Sequence, residues 1–141
     1  MNRIMRIGDF CFIVAAIAAL AGMGLGIFMG IAQDFTLAPA HAHLNLLGWV
    51  TMAIYGLYHR AAGRSGGLPG WVQVVSGALG AALMAGGLAI YLAQGHDERF
   101  VPIVIVGSLL AVFAMLMFLG LVLVDMLRVR RPGYQPTVQP G

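Results

Sequence analysis

Four runs of apolar residues, at 7–32, 39–61, 68–93 and 101–127, constrain this chain more than any other feature. Each is near or above the ~20 residues that cross a bilayer as a helix. In lipid every backbone N–H and C=O must be paired within the protein, so only helices or closed barrels are admissible, and no alternating strand pattern is present. The expected fold is all-α: an integral membrane four-helix bundle with short loops. With 60% hydrophobic and 9% charged residues among 141, no room is left for a soluble domain. One four-helix domain over residues 1–131 is expected, followed by a disordered tail over 132–141, where Pro132, Pro136 and Pro140 recur.

Arginine is the strong basic residue of the chain, and its placement sets the orientation. Arg3 and Arg6 precede the first run, Arg60 and Arg64 lie between the second and third, and Arg128, Arg130 and Arg131 follow the fourth. By the positive-inside rule this side is cytoplasmic, so both termini face the cytoplasm and the loops 33–37 and 94–100 face outward. Arg99 alone is expected outside. The net charge of +3 has this topological cause, which argues against a nucleic-acid partner. The first run is too long for the apolar part of a signal peptide, although Ala38-Pro39-Ala40 has the small residues of a cleavage site. Cys11, the one cysteine, has no partner for an internal disulfide and is expected to be a small buried apolar residue.

Gly22, Gly26 and Gly30 recur at four-residue spacing in the first helix, with Gly24 beside them, so one stripe of that helix is bare backbone. It suits either close helix packing of the small-xxx-small kind or a flat macrocycle lying against it. The third helix carries Ser76, Gly77, Gly80, Ala81 and Gly87, whereas the fourth is bulky, with Leu109, Phe113, Leu116, Phe118 and Leu121. The first three helices are expected to form the tight part of the bundle and the fourth to have more lipid contact.

Chemistry concentrates in the second helix, which opens at Pro39 and reads Pro39-Ala40-His41-Ala42-His43-Leu44-Asn45-Leu46-Leu47-Gly48-Trp49. At about 100° per residue, His41, Asn45, Gly48, Met52, Tyr55 and His59 share one stripe, while His43 falls nearly opposite, above Leu46, Leu47, Val50 and Ile54. His41 and His43 are therefore expected to serve different surfaces. Imidazoles just inside a membrane span call for a metal, a haem or a partner chain. Trp49 is close enough to His43 to line a cofactor pocket. His59, beside Arg60 and about 24 Å from His43, is expected at the cytoplasmic interface, and His96, beside Asp97 and Glu98, in solvent. Asp9 and Asp125 are expected to pair with arginines at the surface.

The run from His43 to Arg60, beginning His-x-Asn and continuing through Gly48, Tyr55 and Tyr58, resembles the second transmembrane helix of the catalytic subunit of haem-copper oxidases and nitric oxide reductases, the cbb3-type branch in particular. The whole chain is also similar to short four-helix bacterial membrane proteins labelled as oxidase subunit I-like. The resemblance covers about the first sixty residues. It implies that His43 ligates a low-spin haem b, and a weaker match to a His-Gly-x-x-Asn version would place that role on His41. Complete oxidases have twelve or more spans and further histidines, so the resemblance implies a haem-binding half-site for electron transfer or gas binding, not a complete oxygen-reducing enzyme. Asn45, Trp49 and Gly26 would then line the haem, with a second axial ligand from another protomer's His43 in a homo-oligomer or from Met29, or with the iron five-coordinate and open to a diatomic gas.

Two other readings stand beside it. An outward copper or zinc site could draw on His41, His43, His96 and Met29 with Asp34 and Asp97, as in an assembly or accessory protein of a respiratory oxidase. A structural small subunit would use the same histidines for hydrogen bonds to partner chains. No lone charge sits at mid-membrane in any run, which leaves ion transport the least supported function.

Overall fold

A computed structural model describes residues 6–63 and 67–129. The expectations for Arg3, Arg64, Arg130, Arg131 and the 132–141 tail lie outside these residues. The described chain is all-helical, with four helices. α1 is Ile7–Ala32. α2 runs continuously over 38–61 and has three parts: α-helical Ala38–His43, π-helical Leu44–Thr51 and α-helical Met52–Ala61. α3 is Leu68–Ala93, and a 3-10 turn at Glu98–Phe100 leads into α4, Val101–Val129. Three helical stretches, Ile7–Ala32, Leu68–Ala93 and Glu98–Arg128, are long and apolar enough to cross a membrane. α2 differs from the expected regular helix because its middle is π-helical.

Local chemistry explains where these helices stop and start. α1 ends at Gln33, whose φ of 53° is left-handed and whose side-chain amide donates to the Gly30 carbonyl. Asp34 then accepts from both the backbone N–H and the hydroxyl of Thr36, a tight turn that delivers Pro39 to the first turn of α2. At the α3–α4 connection Gly95 and His96 both have φ of 69°, and the Asp97 carboxylate caps the 3-10 turn by accepting from the Arg99 N–H.

Glycine brings the helices together as two antiparallel hairpins. Along α1 and α2, a Cβ on Gly56 would meet Cys11, one on Gly48 would meet Ala18, one on Gly22 would meet Asn45 and one on Gly26 would meet His41. Along α3 and α4 the backbones themselves touch: a Cβ on Gly80 would lie 2.6 Å from the Ala111 nitrogen, and one on Gly107 would strike the backbone of Met84. The hairpins join where Tyr55 packs on Gly77 and His59 on Gly70, giving an up-down-up-down bundle. The start of α1 and the end of α4 share one end of it, as Ile7 reaches Gly70 and the Tyr58 hydroxyl donates to Asp125. The core, with Ile7, Cys11, Ala15, Met52, Tyr55 and Val74, lies toward that end.

α4 is the most exposed helix, with Leu109, Leu116 and Leu127 each more than 60% open, as its bulky composition predicts. It nevertheless makes the closest backbone approach found at any described glycine, which corrects the expectation that the first three helices form the tight part of the bundle. The two properties sit on opposite faces. Gly107, Ala111 and Ala114 meet α3 while the large side chains point outward. Exposed apolar rows of this extent also run along α1, at Ile13, Ile17, Leu20, Ile27 and Ile31, and are consistent with contact to lipid.

Candidate functional site

The inward stripe of α2 is the one the helical period selects: Gly48, Met52, Tyr55 and His59 are buried, and His41 and Asn45 half-buried. It survives the π-helical segment, in which the Thr51 hydroxyl donates to the carbonyl of Leu46, five residues back, at 2.7 Å. Such a stretch inside an α-helix is uncommon and recurs at functional sites. Here it separates two polar clusters, one at each end of the helix.

At the end nearer Pro39, Asn45 and His41 form one unit. The Asn45 side-chain amide donates to the His41 carbonyl at 2.9 Å and lies 3.4 Å from both ring nitrogens. This pair fills the space above the α1 glycines, Asn45 over Gly22 and the His41 ring over Gly26. The glycine stripe thus accommodates polar side chains of the neighbouring helix, and the room above Gly26 is taken by imidazole. No neighbour lies within 4 Å of a Cβ built on Gly24 or Gly30.

His43 belongs to a different surface. Its Nδ1 lies 2.7 Å from the carbonyl oxygen of Pro39. A carbonyl only accepts, so Nδ1 carries a proton, and in the neutral ring Nε2 keeps its lone pair. The ring is half-buried, and Leu46 and Val50, which follow it on the same side of α2, are exposed. The two halves of the His-x-Asn motif are thereby parted, since Asn45 turns toward His41 and α1. Met29 is buried, at 4% exposure, in the last part of α1, and Trp49 is exposed.

Among the described residues no three of His, Cys, Asp and Glu gather as metal ligands. His96 is exposed and packs edge-on against Tyr91, with ring centroids 5.1 Å apart. Asp97 is engaged by the Arg99 guanidinium, which holds its carboxyl below the usual range, and Asp34 is lowered by its bonds from Thr36. The surface pairing expected for Asp9 is present, to Arg60, whose guanidinium also covers the Phe12 ring. Asp125 accepts from the Tyr58 hydroxyl at 2.5 Å.

The cluster at the other end was not legible as such. His59 is fully buried within the bundle. Its Nε2 lies 2.9 Å from Oε1 of Gln73, which is also fully buried, while His59 Nδ1 and Gln73 Nε2 have no hydrogen-bond partner. A buried polar atom left unpaired costs about 1–3 kcal/mol. His59 is drawn inside because Gly70 leaves space beside it: a Cβ there would stand 3.3 Å from His59 Cε1 and 2.8 Å from Ile7 Cδ1. The available signal was Gln73, the one amide in the apolar run 68–93, one turn from Ser76 and Gly77.

No protein-family model, curated protein or solved structure matches this chain.

Proposed function

We propose that this chain is an integral membrane protein that binds haem b through His43, for electron transfer or binding of a diatomic gas. The observation that carries the reading is the state of the His43 ring. An imidazole that ligates a metal through one nitrogen characteristically donates from the other to a carbonyl or carboxylate, which fixes the tautomer and raises the ligand's basicity. The Pro39 carbonyl does this for His43, with Nε2 open on the outer face of α2. The exposed apolar side chains of Leu46 and Val50 fall within about 60° of His43 around the helix and suit a porphyrin face, with the exposed indole of Trp49 at its edge. His41, enclosed with Asn45 against α1, positions the first turns of α2 and does not share the iron.

A haem on that outward face is covered only by a second chain. The proposed assembly is therefore a homo-oligomer in which another protomer's His43 provides the sixth ligand. Haem supplies a one-electron couple when bound; the chain supplies the axial nitrogen and an apolar seat that keeps water away. All four helices cross the bacterial inner membrane in this reading, with both termini cytoplasmic, and a respiratory redox protein is the proposed exchange partner. Copper or zinc is the weaker alternative, because no ligand set gathers within one described chain.

The test is an oxidised and a reduced spectrum of the purified protein with haem present, beside His43→Ala and His41→Ala. A Soret band with b-type reduced bands is expected, lost in His43→Ala and at least partly kept in His41→Ala. Equal haem content in both single variants and the double variant would defeat the proposal.

A further inference from the structure

The His59–Gln73 pair has spare hydrogen-bonding capacity of a definite kind. As placed, the imidazole donates from Nε2 to Gln73 Oε1, which leaves Nδ1 an acceptor without a donor and the Gln73 NH2 a donor without an acceptor. If the amide is turned over, its NH2 donates to His59 Nε2; Nδ1 then carries an unmet proton and Oε1 is an unmet acceptor. With the imidazole neutral, both arrangements leave an unmet donor and an unmet acceptor. An anion satisfies only donors and a metal cation only acceptors, so neither completes the pair. The complementary ligand is amphiprotic, and full burial of both side chains limits it to the smallest such molecule.

We propose that the His59–Gln73 pair is a binding site for internal water in the core between α2 and α3. Buried water characteristically joins polar groups that the chain itself leaves unpaired. The surroundings extend the same chemistry toward the middle of the bundle. The Tyr55 hydroxyl has the Met115 sulfur, at 3.9 Å, as a weak acceptor. Beside it is a cavity of about 20 Å³ bordered by Leu47, Thr51, Tyr55, Gly77, Ala111 and Met115, large enough for one water molecule. This cavity reaches the π-helical residues Leu47 and Thr51. It stops there, where Met52 is fully buried and Gly48 is closed in by Ala18 and Ala81. The site does not depend on haem and lies at the opposite end of α2 from His43.

Water-edited solid-state NMR of the full chain in lipid, with 15N-labelled histidine, reads this directly in the unmutated protein. The expected result is rapid polarisation transfer from water to the His59 ring, with the nitrogen not bonded to Gln73 showing a hydrogen-bonded shift. The His59→Gln variant assigns the signal; if it does not fold, selective labelling with His41, His43 and His96 each replaced in turn assigns it by elimination. A His59 ring that receives no polarisation from water and keeps a non-hydrogen-bonded nitrogen overturns the proposal, whatever the haem content of the sample.

Discussion

The two ends of α2 carry the same residue type on one continuous helix and treat it in opposite ways. Near Pro39 the imidazoles are half-buried, and the nitrogen left over on His43 points to the outside of the bundle. Near Ala61 the imidazole of His59 is fully buried, and the nitrogen left over is inside. The neighbours make the difference. α1 offers glycines that receive Asn45 and His41 but leave His43 beyond its reach, whereas α3 offers Gly70 and Gln73, which draw His59 inward. An open nitrogen outside can bind something large from another chain; one inside can bind only what fits in a core.

Substituting each imidazole by leucine sharpens this contrast most. His59→Leu leaves Gln73 buried without its partner and should lower stability by about 2–3 kcal/mol in a denaturant titration in detergent, with haem content unchanged. His43→Leu should change stability by less than about 0.5 kcal/mol in the haem-free protein, yet remove the Soret band. A destabilised His43→Leu, or a His59→Leu protein that folds normally but loses haem, would erase the distinction between the ends.

The glycine stripe of α1 gives the next largest effect. Gly22→Leu drives a side chain into the space held by Asn45, where even a Cβ would stand 2.6 Å from Oδ1, and should cost about 1–3 kcal/mol. Gly24→Leu meets nothing and should be neutral or slightly stabilising by the same titration. Equal losses at both positions would mean that Asn45 and His41 do not occupy the α1 face.

Between the ends, Thr51→Val removes the hydroxyl bond to the Leu46 carbonyl and should cost about 1 kcal/mol. Amide exchange measured by NMR should rise within 44–51 and leave both ends unchanged. A rise along the whole of α2 would show that the π-helical segment does not insulate one cluster from the other.

The smallest effect belongs to the loop that enters α2. Asp34 titrates below its ordinary value because its carboxylate is bonded by Thr36, so its contribution is present above the usual carboxylate range and is lost as pH falls through the lowered value. Thr36→Ala should flatten that acid limb without altering behaviour at neutral pH. An unchanged acid limb would mean that this turn does not help to set the entry of α2.

Much of this arrangement was legible beforehand. The helical extents 7–32 and 68–93 coincide with the apolar runs, because run length and a Pro or a polar break set them locally. The inward stripe of α2 followed from its period, and the separation of His41 from His43 from their two-residue spacing. The partner of the α3 glycines was missed, because the bulk of α4 concealed that Gly107, Ala111 and Ala114 lie together on its other face. The burial of His59 was not foreseen because Arg60 beside it is exposed, and adjacent helical residues point to different surroundings.

The sequence by itself determined that there are four helices, where their polar residues fall along them and which side of α2 turns inward, since these depend on contacts within a few residues. Tertiary structure decided how deep His41 and His59 lie and which nitrogen of His59 is left over, whereas the Pro39 carbonyl sets this locally for His43. Those outcomes rest on Gly26, Gly70 and Gln73, which lie far from the histidines in sequence and reach them only when the hairpins close. Burial is a property of what packs on a residue, and the residue's own neighbours along the chain do not specify it.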